Sequence, residues 1–432
     1  MYRYAIEKLF KWKEKPIRKP LIIEGARQVG KTWLMKEFGE RAYNQTIYIN
    51  FDSNTTMSDL FSYDLDTNRL ITGIELYSGQ KIDPDNTLLI FDEIQEVPRA
   101  LSSLKYFCEN APEYHIVCAS SLLGIALHQG TSFPVGKVDF MDLYPLNFKE
   151  FLMATGKERF VELLDQQDYQ MITSFKQTYI DALKQYYFVG GMPEAVQCFT
   201  NYNDYNEVRT IQKKILSTYD NDFSKHAPNE IVPKIRMLWN SIPSQLAKEN
   251  KKFIYGLVRT GARAKEYETA IMWLSDCGLI HKISRVNQAG IPLKAYEDLK
   301  AFKIYLLDVG LLGCMTGLKQ KTLIEGNNLF VEFKGALTEQ YVCQQLKTIE
   351  DLNMYYYTNE RGNCEIDFVI DRDNQIIPIE VKAEENLRAK SLKTYSEKFS
   401  PDICVRTSMS DYRKEDWLIN LPLYAIEEIN EL

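Results

Sequence analysis

The chain has 432 residues, of which 45% are apolar and 26% charged. This reads as a soluble globular protein of roughly two to four domains, not as a disordered chain. The net charge of −7 argues against a general affinity for nucleic acid or anionic membranes, though a local basic groove remains compatible with it.

The opening stretch MYRYAIEKLFKWKEKP lacks the apolar core of a secretory signal. No run approaches the roughly 20 apolar residues of a membrane span. Eight cysteines fall singly, without a C-x-x-C pair, and the four histidines (His115, His128, His226 and His281) are far apart. That spacing suits reduced thiols in a cytoplasm, not a disulfide frame or a zinc site. A cytoplasmic protein without membrane attachment is the expectation.

The first element is a short apolar strand, Leu21 to Ile23. It leads into Gly25-Ala26-Arg27-Gln28-Val29-Gly30-Lys31-Thr32, which fits G-x-x-x-x-G-K-[ST] in full. Glycines let such a loop curl until its N–H groups face a phosphate. Lys31 is placed to reach the β- and γ-phosphates and Thr32 to set its hydroxyl on Mg²⁺. A helix from Lys31 to about Phe38, with Trp33 in its first turn, aims its positive end at the same anion. Gly25 through Trp33 form the expected nucleotide-binding set.

A second strand, Leu88 to Phe91, is apolar throughout, as a central parallel strand would be. It ends in Asp92, placed to hold Mg²⁺ through water, and Glu93, placed to orient the attacking water. A third strand, His115 to Ala119, ends in Ser120-Ser121. Ser120 is the candidate that touches the γ-phosphate or the water, and a plain helix cap explains it equally well.

The stretches GARQVGKTW, FDEIQEVP, CASSLL, MDLYPLNFKEFL and YYFVGGMPEAV, spread from Leu21 to Val196, together resemble the AAA+ superfamily of P-loop ATPases. More narrowly, they resemble bacterial and archaeal ATPases that join an AAA-type domain to a domain of unknown function, DUF4143. The resemblance implies an ATP hydrolase using Mg²⁺, with a helical lid over the nucleotide. One departure stands out: the family usually has Gly-Arg where this chain has Gly136-Lys137. A lysine there is a point charge without the planar fork of an arginine. Arg27 is a second basic candidate, with packing against the domain surface as its alternative.

From about Phe151 to Lys225 the apolar spacing is helical, broken at Gly190-Gly191 and Pro193. A helix from about Ala264 to Ser275, then Gly278 and a strand from Leu279 to Ile283, has the look of a winged helix, with Arg259, Arg263 and Lys265 able to meet phosphates. Its alternative is a structural helix pair. Lys303 to Leu307 reads as a core strand ending in a turn at Asp308-Val309-Gly310.

Near the C-terminus, CEIDFVI (Cys364 to Ile370) and IIPIEVKA (Ile376 to Ala383) flank a short turn and read as a hairpin. A two-residue turn at Asp373-Asn374 pairs Arg372 with Gln375 and puts Asp367 opposite Glu380. Two facing carboxylates repel unless a divalent metal binds both, and Lys382 lies on the same strand face as Glu380. Oxygen ligands favour Mg²⁺ or Mn²⁺, with Glu339, on the preceding helix, as a third carboxylate. A surface ion pair between Glu380 and Lys382 is the plain alternative. The pattern resembles the PD-(D/E)XK nuclease core, with Ile366 where the motif's Pro would stand. That resemblance makes Asp367, Glu380 and Lys382 catalytic and nucleic acid the substrate.

The expected fold is α/β: a P-loop NTPase parallel sheet with a helical lid, a helical, winged-helix-like middle segment, and a C-terminal α/β restriction-endonuclease-like domain. The expected boundaries are 1–150, 151–225, 226–320 and 321–432, with 226–385 corresponding to DUF4143. ATP is the expected ligand and DNA, RNA or a protein the partner. The alternative to a coupled nuclease is a nucleotide-dependent switch whose degenerate nuclease-like domain is a binding module.

Overall fold

The computed structural model describes residues 1–121, 134–248, 252–325, 331–359, 364–385 and 388–432. Leu122 and Leu123 of the CASSLL stretch, and His128, lie outside them. The chain divides into two compact units: Tyr2–Tyr144 together with Met272–Leu279, and Pro145–Ile271 together with Ile280–Leu432.

The first unit is built on five strands: β1 (Leu21–Glu24), β2 (Gln45–Asn50), β3 (Thr87–Asp92), β4 (His115–Ala119) and β5 (Asp139–Asp142). They lie in the order β2-β3-β4-β1-β5, and every pairing is parallel. All six residues of β3 are buried, because helices cover both faces of a parallel sheet. Phe51, Phe61 and Phe91 meet edge-on, with ring centroids 5.4–6.1 Å apart, beside β3. This is the P-loop sheet that the strand–loop–helix pattern predicts.

The loop after β1 needs glycine at two points. Gly25 has φ of +140°, and a Cβ there would lie 2.2 Å from the Leu143 carbonyl oxygen. Gly30 has φ of +97° and opens helix α1 (Lys31–Ala42). A side chain at either position would be strained, and at Gly25 it would also collide.

The second unit combines helices with an eight-stranded sheet. Its strands are β6 (Ile280–Val286), β7 (Glu297–Leu306), β8 (Asn353–Thr358), β9 (Glu365–Arg372), β10 (Gln375–Val381), β11 (Cys404–Ser408), β12 (Arg413–Lys414) and β13 (Leu418–Pro422). The order is β12-β13-β11-β10-β9-β8-β6-β7. The wing-like strand of the sequence reading therefore belongs to a hairpin, β6–β7, that continues the C-terminal sheet through parallel pairing of β6 with β8. The β9–β10 hairpin has the register counted from the sequence. Arg372 pairs with Gln375, and Asp373 and Asn374 both take positive φ, +46° and +63°, as a tight two-residue turn requires.

Helix α2 (Lys176–Val189) ends at Gly190-Gly191, against a fully buried carboxylate, Asp308. Asp308 accepts from Gly191 N (2.6 Å), Leu311 N (2.9 Å) and Gln344 Nε2 (3.1 Å). Burial raises its pKa, and these donors oppose the rise. Gly190, with φ of +72°, lies so close that a Cβ would come within 2.2 Å of Asp308 Oδ1. The Gly-Gly and Asp-Val-Gly stretches of the sequence are thus two halves of one joint. Asp308→Ala leaves three buried donors unpaired and should destabilise the protein by at least about 3 kcal/mol. Urea unfolding checks this, and a loss under about 1 kcal/mol would remove the joint from the account. Among the described residues no helix is long and apolar enough to cross a membrane.

Candidate active site

In the first unit the phosphate loop, the end of β3 and the end of β4 converge. Lys31 is buried, and its Nζ donates to the Gly25 carbonyl at 2.7 Å and the Ala26 carbonyl at 2.8 Å. Burial lowers its pKa to about 8, against the raising pull of Glu93 and Asp92, while Arg27 lowers it further. An ammonium so poorly solvated is primed for an incoming anion. The Thr32 hydroxyl donates to Asp92 Oδ2 at 2.7 Å, so the two expected magnesium-holding groups meet beside the loop.

Of the neighbours that hold Asp92 and Glu93, Tyr48 and Gln95 escaped the sequence reading. Tyr48, on β2, donates to the same Asp92 Oδ2 at 2.8 Å and helps to fix the carboxylate. Ser121 Oγ donates to Glu93 Oε2 at 2.9 Å, and Gln95 Nε2 donates to that oxygen at 2.6 Å. The hydroxyl that reaches Glu93 is therefore one residue beyond Ser120. The Ser120 Oγ is buried and has no hydrogen-bond partner among the described residues. Arg27 Nε donates to Ser121 Oγ at 3.3 Å, linking the loop to Glu93 through one hydroxyl.

The other residues of the predicted set frame the loop. Val29 and Ala26 are buried. The Val29 carbonyl accepts from Arg3 Nη1 at 3.0 Å. Gln28 takes a positive φ of +66°, and Trp33 is 41% exposed. Lys137, which stands where the resembling proteins have an arginine, forms a 2.8 Å ion pair with Glu109, both side chains being about one-third exposed or more.

In the second unit the expected acids also gather, around a group the sequence reading did not single out. Continuing the β9–β10 register one step places Glu380 opposite Asp367, and Asp367 Oδ2 accepts from Val381 N at 2.8 Å. Lys382 Nζ lies 2.7 Å from Glu380 Oε1. Glu380 is only 5% exposed, so this is not the surface ion pair of the plain reading. On the other side of β10, Glu380 is in register with Arg406 of β11, itself buried. Glu380 Oε2 has no hydrogen-bond partner among the described residues.

Lys303, from β7, is wholly buried. Its Nζ lies 2.6 Å from Glu365 Oε1 and 4.0 Å from both Asp367 Oδ1 and Glu339 Oε2. Burial works to lower its pKa, but Glu339, Glu365 and Asp367 outweigh that and hold it above the usual lysine range. Glu339, on helix α3 (Val331–Lys347), also accepts from the Tyr305 hydroxyl at 3.2 Å.

Of the expected metal set, Asp367 and Glu380 face each other across the hairpin, and Glu339 lies 4.0 Å from Lys303 Nζ, as Asp367 does. Glu339 is engaged by Tyr305 and Lys303, and Glu380 by Lys382. Among the described residues no group of three or more His, Cys, Asp or Glu is arranged to hold a metal. The signal for Lys303 was available: a lysine in the middle of the apolar run AFKIYLL must find acids if that strand is central.

Three family models match successive stretches of the chain. Residues 17–152 match the family described as AAA domain, and residues 334–425 match the domain of unknown function DUF4143. Residues 180–322 match a further domain of unknown function, DUF8612. No curated protein matches the chain. Among solved structures, the Walker-type ATPase PABY2304 of Pyrococcus abyssi is 13% identical over 72% of this chain and 94% of its own, with a TM-score of 0.45. The Aeropyrum pernix ORC1 protein in complex with DNA is 10% identical over 72% and 90%, with a TM-score of 0.25. Cdc6p from Pyrobaculum aerophilum is 11% identical over 74% and 93%, also at 0.25.

Proposed function

We propose that this chain, an AAA-type domain of the P-loop ATPase class followed by a DUF4143 domain, hydrolyses ATP with Mg²⁺ and uses the cycle to control nucleic-acid binding by its second unit. The observation that carries the catalytic half is the meeting of Thr32 with Asp92 beside the loop, while Glu93 is held by Ser121 and Gln95. A hydroxyl next to a carboxylate suits Mg²⁺, which would be held by Thr32 and, through water, by Asp92. The ion would neutralise charge on the β- and γ-phosphate oxygens.

The protein's own groups supply the rest. Main-chain N–H groups of Gly25 to Thr32 cradle the phosphates, and α1 points its positive end at them. Lys31 gives up the Gly25 and Ala26 carbonyls and turns to the phosphate oxygens. Glu93 holds the attacking water in line and accepts its proton. Ser121 and Gln95 fix the carboxylate that does this, so its orientation costs no reorganisation during reaction.

The nucleic-acid half of the reading rests on Arg263 and Lys265, exposed at the start of the helix Ala264–Asp276, and on Arg259, exposed at the end of the short helix before it. Exposed cations at a helix start suit phosphates, against an otherwise acidic chain. Joint replacement of Arg263 and Lys265 by Ala should lower the slope of log affinity against log salt by about 2 for DNA or RNA. Filter binding of the full chain at several salt concentrations measures it. An unchanged slope would exclude these residues as the contact. Binding is the proposed role of the C-terminal unit, as a degenerate nuclease-like module; metal-dependent cutting is not part of this reading, because Lys303 stands among its acids.

A further inference from the structure

The acids of the C-terminal sheet are arranged around an ammonium group. We propose that Lys303 is the resident cation of this centre and that the intact chain takes up no divalent metal there. The inference deepens the reading of the second unit as a binding module and is independent of ATP hydrolysis.

Two elements supply the three carboxylates. Glu365 and Asp367 stand at alternate positions of β9, so they share a face, and Glu339 comes from α3. Three buried or half-buried carboxylates within reach of one another are tolerable only if a positive charge lies between them. In metal enzymes that charge is a divalent ion. Here Lys303 reaches in from β7, with no exposed surface and an ammonium 2.6 Å from Glu365. Its Nζ lies 4.9 Å from the ring centroid of Tyr356, which lines its path. A lysine cannot be buried in this way without acids, and these acids cannot cluster without a cation. Each explains the other.

The adjoining acid is matched in the same manner. Glu380 faces Lys382 at 2.7 Å and is in register with the buried Arg406. Its free Oε2 is one oxygen, and Asp367 has already given Oδ2 to the Val381 amide. A metal at this point would have two partly engaged carboxylates and three basic side chains around it. Oxygen-ligand sites for Mg²⁺ demand near-octahedral geometry with short contacts, which such neighbours oppose.

Mn²⁺ binding to the nucleotide-free full chain, counted by electron paramagnetic resonance, tests the proposal. Wild type and Asp367→Asn should take up Mn²⁺ identically, because neither has a site at the sheet. Lys303→Met should gain one site, at least tenfold tighter than any in wild type, and the double variant Lys303→Met with Asp367→Asn should lose it. The unfolding midpoint should rise with Mn²⁺ in Lys303→Met and stay put in wild type. A wild-type Mn²⁺ site that Asp367→Asn abolishes would overturn the proposal. So would a Lys303→Met protein that keeps the wild-type midpoint and gains no site. If Lys303→Met does not fold, the comparison of wild type with Asp367→Asn decides alone: equal uptake upholds the proposal and loss of a site refutes it.

Discussion

Replacement of Lys31 by Ala should lower ATP turnover by about 100-fold to 1000-fold, the scale seen when one preorganised charge or donor is removed from a developing anion. Lys31 is the one ammonium buried inside the phosphate loop among the described residues, and it already touches two loop carbonyls. No neighbour can replace it. Arg27 is directed to Ser121, and Lys137 is paired with Glu109. The fold should survive, because losing Lys31 removes a poorly solvated charge and not an apolar anchor of the core. Phosphate release by wild type and variant under saturating Mg-ATP measures the effect. A variant within about fivefold of wild type would mean that another cation meets the phosphates.

The second large effect is expected at Glu93. Glu93→Gln should reduce kcat by about 100-fold or more, as loss of a general base does, while ATP affinity changes little. The substitution keeps the shape and one oxygen, so Ser121 and Gln95 still have an acceptor. What is lost is the negative charge that draws the proton from the attacking water. The backbone of Glu93 is left-handed, with φ of +51°, and Gln leaves that conformation open to the same degree. A split of this kind, with binding kept and turnover lost, separates a water-positioning acid from a structural one. If affinity fell as far as kcat, Glu93 would instead be holding the nucleotide or the loop.

The features legible in the sequence were those whose partners lie close along the chain. The phosphate loop is contiguous, so Gly25, Gly30, Lys31 and Thr32 announce themselves without any knowledge of the fold. The β9–β10 register followed from a two-residue turn, because a tight turn fixes which residues face each other. Asp92 and Glu93 were legible for the same reason, at the end of a wholly apolar run.

The illegible features depend on pairings between distant segments. Tyr48 reaches Asp92 only because β2 lies beside β3, with Asn50 in register with Asp92. Ser120 and Ser121 are adjacent, and only the direction the chain takes after β4 decides that Ser121 faces Glu93. Pairing of β6 with β8 joins the middle segment to the last hundred residues and cannot be counted from either segment alone. It is this pairing that carries β7, and with it Lys303, to the acids of β9. Carboxylates at metal-like spacing were visible, but the cation among them came from a strand some sixty residues upstream of Glu365 in a run that otherwise reads as core.

Isothermal titration of the full chain with Mg-ATP tests the central claim most directly. Saturable uptake of one nucleotide per chain, weakened when Lys31 becomes Ala, is the predicted result. Absence of binding by wild type, or undiminished binding by the variant, would contradict it.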